Sequence, residues 1–73
     1  MNKTQKILKY MIENPKKGIT QLDAIELCWA IRLSSIIYNL KKKYIIETIK
    51  ENGTDMYGDA TSYARYFYKG ELE

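Results

Sequence analysis

The stretch Thr20–Lys43, TQLDAIELCWAIRLSSIIYNLKKK, decides how this chain reads. It contains two short amphipathic segments in succession. The second is rich in small polar residues and ends on Lys41, Lys42 and Lys43. Two helices in this order, the later one with a polar face and a basic tail, outline a helix-turn-helix, whose second helix enters a DNA major groove.

Working outward, Thr20-x-x-Asp23 is a relative of the capping box and opens a helix over residues 20–29. Leu22, Ile25 and Trp29 recur at helical spacing, which predicts a buried stripe flanked by Ala24 and Cys28. The next helix is predicted over 32–43, burying Leu33, Ile36 or Ile37, and Leu40. Arg32, Ser34, Ser35, Tyr38, Asn39, Lys41 and Lys42 are then left facing outward. Upstream, Thr4 can cap a helix over 4–14 with Ile7, Leu8, Met11 and Ile12 on one face. Asn14-Pro15 ends it, because the residue before proline avoids the helical region. After the turn Lys16-Lys17-Gly18, Ile19 enters as a short strand or an apolar staple.

Beyond Lys43 the pattern becomes β-branched and aromatic, predicting strands over 44–51 and 61–69. Asn52-Gly53 is a turn signal and Gly58 a second break. Three helices and then a hairpin are the order of an α+β winged helix-turn-helix, with residues 52–61 as the wing and 1–73 as one domain. A chain this short is near the lower limit for a self-sufficient core, so a partner subunit is compatible with it.

Composition narrows the function. Histidine is absent and Cys28 is the single cysteine. An ordinary general base near neutral pH is therefore missing, and so are a thiolate zinc site and a phosphate-cradling glycine motif. No enzyme, cofactor or metal is expected. No apolar run approaches the about 20 residues of a membrane span, and the first 17 residues carry scattered charges without an apolar core. No membrane association and no signal peptide are expected, and the lone thiol fits a reducing cytoplasm. The net charge of +3 is unevenly spread. Lysines crowd the first quarter and the middle, whereas Asp55, Asp59, Glu71 and Glu73 make the later part acidic.

The candidate DNA-contacting residues follow from this placement. Arg32 can pair bidentately with guanine and Asn39 with adenine, while Ser34, Ser35 and Tyr38 can bond to bases or phosphates. Lys41 and Lys42 suit phosphates, although cations in a last helical turn also favour the helix dipole. Lys16 and Lys17 precede a helix whose first amides, at Thr20 and Gln21, could hold a phosphate. The wing counts against a simple DNA reading, because residues 52–61 carry two aspartates and no cation. Ile36, Tyr66 and Tyr68 are candidates for a protein interface, since aromatics occupy both faces of the last strand. A homodimer is the commonest use of such a patch.

These residues also carry a resemblance. Ile19-Thr20, Asp23-Ala24-Ile25, Ile31-Arg32-Leu33-Ser34-Ser35, Ile37-Tyr38-Asn39-Leu40-Lys41, Ile46-Glu47-Thr48 and Tyr63-Ala64-Arg65-Tyr66 together resemble a small helix-turn-helix family of bacteriophages and mobile elements. Ile36 departs from it, standing where the family tends to carry a basic residue. The glycine that usually ends the recognition helix is also missing near Lys43-Tyr44. The resemblance implies a binder of double-stranded DNA, a transcriptional regulator or excision-type accessory factor. The alternative is a phage-encoded protein-interaction module or inhibitor of a host or defence protein on the same fold.

Overall fold

The computed structural model describes residues 1–72; Glu73 lies outside the described residues. Helices α1 (Lys3–Glu13), α2 (Gln21–Cys28) and α3 (Leu33–Leu40) are followed by strands β1 (Tyr44–Thr54) and β2 (Ala60–Glu71), which pair antiparallel. The architecture is α+β, three helices and then a two-stranded hairpin, the layout of a winged helix-turn-helix.

Asn2, rather than Thr4, caps α1. Its side chain accepts from the Gln5 amide at 2.8 Å, and the Gln5 side chain accepts from the Asn2 amide at 3.0 Å. Thr4 has no such reciprocal partner, because Ile7 stands three residues on. Ile7 and Met11, one turn apart, are wholly buried, whereas Ile12 falls on the outer side. The chain leaves the turn through Gly18 at φ +68°, where a Cβ would lie 2.6 Å from the Tyr66 carbonyl oxygen. Only glycine accommodates both the conformation and the approach. That approach lets Ile19 exchange two 2.9 Å backbone hydrogen bonds with Tyr66, adding a one-residue strand to the outer side of β2.

The predicted box at the start of α2 is present: Thr20 accepts from the Asp23 amide and the Asp23 carboxylate accepts from the Thr20 amide. The predicted stripe is not. Leu22 and Trp29 are 73% and 74% exposed, and Ala24 is the one fully buried residue of α2. Trp29 ends the helix in the left-handed conformation (φ 58°, ψ 33°), its amide donating to the Ile25 carbonyl. That reversal turns the indole to solvent. Cys28 is half-buried against the core.

Helix α3 is shorter than predicted, with Lys41–Lys43 forming a turn, and it buries Leu33, Ile37 and Leu40. Ile37 is therefore the inward isoleucine, and Ile36 only flanks the core. The hairpin is longer than predicted. Asn52 and Gly53 are not the turn but pair with Ser62 and Thr61 inside the ladder. The reversal comes at Asp55–Asp59, where the Asp55 carboxylate accepts from the Tyr57 and Asp59 amides and Gly58 takes φ +84°. A carboxylate that satisfies two turn amides outcompetes the Asn-Gly signal. A bulge between Ile45 and Ile46 leaves Lys69 without a partner across the ladder.

The core joins Ile7, Met11, Ile19, Ala24, Ala30, Leu33, Ile37, Leu40 and Ile46. No helix among the described residues is long and apolar enough to cross a membrane.

Candidate nucleic-acid interface

Burial of Leu33, Ile37 and Leu40 sets the rotation of α3 and hence what it presents. Arg32, Ser34, Ser35, Tyr38, Asn39, Lys41 and Lys42 are all exposed. A side chain from α2 fixes the position of this helix. Arg32, the residue at its N-terminus, offers no capping side chain, and Gln21 substitutes for it. The Gln21 amide nitrogen donates to the Ala30 carbonyl at 2.6 Å, and its oxygen accepts from the Leu33 amide at 3.0 Å. Gln21 thus clamps the two helices of the motif at a set separation.

The outer face of α3 is cationic. Between Glu26 and Glu47 the chain contains Arg32, Lys41, Lys42 and Lys43 and no carboxylate. The Lys42 ammonium lies over the Tyr38 ring, 5.2 Å from its centroid, which orders both side chains on one face. Lys41 donates to the Thr48 hydroxyl at 3.4 Å, joining the end of α3 to the base of the hairpin.

The hairpin contributes more than its tip. Residues paired across an antiparallel ladder share a face. Thr48 with Tyr66, Lys50 with Ala64, and Asn52 with Ser62 lie on the side of Ile46, the side turned toward the helices. Glu47 and Glu51 lie on the other side. The strip on that side is therefore polar and carries Lys50, and its one carboxylate, Glu71, stands at the base of the hairpin opposite Tyr44. The alternation of Lys50 and Asn52 with Glu47 and Glu51 is written in the sequence, yet it acquires meaning only once Ile46 is known to point inward.

Four predicted phosphate contacts are not brought to this surface. Thr20 is buried, with its hydroxyl and amide committed to Asp23. The polar atoms of the Gln21 side chain are taken by Ala30 and Leu33. The Asp23 carboxylate already occupies the start of α2. With Glu26 it lines a groove of about 510 Å³ against Tyr63 and Arg65, an environment that repels phosphate. Lys16 and Lys17 are exposed on this side, away from α3. Hydrogen bonding to Tyr10, whose ring lies 5.7 Å from the Lys17 ammonium, raises the Lys17 pKa, and Asp23 adds to the effect. The Lys17 carbonyl accepts from Arg65 at 2.9 Å.

The predicted protein interface divides in the same way. Tyr66 and Tyr68 are half-buried against the core, Tyr66 beside Ile19 and Tyr68 against Tyr44 at 5.8 Å between ring centroids. They are packing residues, not an exposed patch. Ile36 remains half-exposed and lines a groove of about 500 Å³ with Lys3, Trp29, Ala30, Ile31, Arg32 and Ser35. Trp29 and Ile31 are the site residues that periodicity missed, since helical spacing assigned Trp29 to the core.

Comparison with family models, curated proteins and solved structures finds no match to this chain. The likeness to the phage helix-turn-helix family rests on the residues quoted for it.

Proposed function

We propose that this chain is a DNA-binding protein that lays α3 in a major groove, with the hairpin strip around Lys50 beside the flanking backbone. The observation that carries this reading is the outer face of α3. Seven polar or cationic side chains are exposed together there, in a segment without a carboxylate, held in place by Gln21. Arg32 and Asn39 are the residues suited to base edges, and Lys41, Lys42 and Lys50 are suited to phosphates. A regulator of transcription or an excision-type accessory factor of a mobile element is the role that fits such a module. Fluorescence anisotropy with labelled duplex DNA at low ionic strength tests it. Binding is expected, and a flat titration would remove the hypothesis.

One observation favours a second reading, a protein-interaction module directed at a host or defence protein. The groove beside Ile36 places the apolar side chains of Trp29, Ile31 and Ile36 together next to the α3 face, which DNA contact does not require. In that case Ile36→Arg abolishes capture of the protein partner and leaves the circular dichroism spectrum unchanged, and an undiminished complex would count against it.

A further inference from the structure

Two exposed apolar side chains, Trp29 and Ile31, and the half-exposed Ile36 surround the turn between α2 and α3. Trp29 and Ile31 are 74% and 73% exposed, and Ile36 completes the groove between them. Trp29 is also the one non-glycine residue with positive φ among the described residues. Glycine or asparagine would hold that position with less strain, so stability does not account for an indole there. The two charges lining the groove, Lys3 and Arg32, are both positive. Lys3 is fixed in place by donating to the Trp29 carbonyl at 3.1 Å.

The hairpin tip has the opposite character. Met56 and Tyr57 are 90% and 85% exposed, between the carboxylates of Asp55 and Asp59. The hydrogen bonds to Asp55 hold this tip in one shape, so it presents a preformed apolar prong with negative flanks. Within one molecule the prong cannot fold back. It ends a ladder of 11 paired positions, about 36 Å long at the usual strand rise, against a longest molecular dimension of 43 Å.

We infer that the groove lined by Trp29, Ile31 and Ile36 receives the Met56–Tyr57 hairpin tip of a second copy of this chain. Apolar groups meet apolar groups, and Asp55 and Asp59 come opposite Lys3 and Arg32. Surface area agrees. A compact monomer of 8.6 kDa exposes about 4,700 Å², whereas this chain exposes 5459 Å². The excess is close to the roughly 800 Å² that one partner contributes to a standard interface. Arg32 lines the groove, so a docked tip and a DNA contact by Arg32 exclude one another. The inference does not rest on DNA binding and is tested without nucleic acid.

The test is the mass of the purified chain by analytical ultracentrifugation over a concentration series reaching about 1 mM, the weak end of specific association. The mass is expected to rise from 8.6 kDa toward two chains or more. The double variant Met56→Ser/Tyr57→Ser and the single variant Trp29→Asn are each expected to weaken association at least tenfold. Mixing the two variants is expected to restore a two-chain species, because an intact groove then meets an intact tip. Ile31→Ser replaces Trp29→Asn if the latter does not fold. A wild-type chain that stays at 8.6 kDa, association indifferent to the tip variant, or a mixture that remains monomeric would each overturn the inference. Capture of some other protein by a monomeric chain would do the same.

Discussion

Single residues set the geometry of this molecule where the chain changes direction. Gly18 lets the backbone pass against Tyr66, and Gln21 does for α3 what its own first residue cannot. Trp29 works against its position. A non-glycine residue in the left-handed region costs on the order of 1–2 kcal/mol, and asparagine relieves part of that. Because the indole is mostly solvated, little packing is lost with it. Trp29→Asn is therefore expected to raise unfolding stability by about 1 kcal/mol, read from the midpoint of a urea titration. A lower midpoint would show that the indole contributes to the fold after all. The Lys3 bond survives this change, since it goes to the backbone carbonyl.

Among the elements, the hairpin depends most on side-chain chemistry, since only its lower half packs on helices. Arg65 donates to the Glu51 carboxylate at 2.7 Å across the ladder and to the Lys17 carbonyl at 2.9 Å, tying β1, β2 and the turn before α2. Hydrogen bonding to Arg65 holds the Glu51 carboxyl below its ordinary pKa, against a smaller opposing effect of burial. A carboxyl whose pKa is lowered on folding stabilises the protein above its unfolded value, and the gain is lost as pH falls through the folded value. The stability advantage of wild type over Glu51→Gln is thus expected to be complete near neutral pH. It should shrink below about pH 4, where free glutamate itself protonates. Thermal melts of both proteins across that range would show it, and a difference independent of pH would refute the assignment.

At the scale of the whole molecule, the distribution of charge matters more than its sum. A net +3 is modest, but α3 and the turn after it carry no carboxylate, whereas Asp23 and Glu26 lie on α2, Glu47 and Glu51 on the hairpin face away from Lys50, and Asp55 and Asp59 at its tip. Such an arrangement orients a polyanion toward one surface. With the three phosphate contacts proposed for Lys41, Lys42 and Lys50, log K should fall with log salt at a slope of roughly −3. Lys42→Ala is expected to reduce that slope by about one unit and to weaken binding to all sequences alike. A variant that kept the wild-type slope would place Lys42 outside the interface.

Much of this was legible in the chain itself. Element order, the Thr20–Asp23 box, the inward Leu33 and Leu40 and the polar outer face of α3 all follow from local chemistry and period, which one helix or strand expresses alone. Tertiary structure decided the rest. Periodicity marks Leu22, Ile25 and Trp29 as a stripe but cannot tell which face of an eight-residue helix the core will take, and the face that became buried carries Ala24. Asn52-Gly53 signals a turn, yet ladder pairing carried the strands past it to a carboxylate that satisfies more amides. Whether Tyr66 is a contact or a packing residue depended on Ile19, 47 positions away, reaching it through Gly18. Local spacing carries no information on such encounters, because burial and hydrogen-bond competition are settled only when distant segments meet.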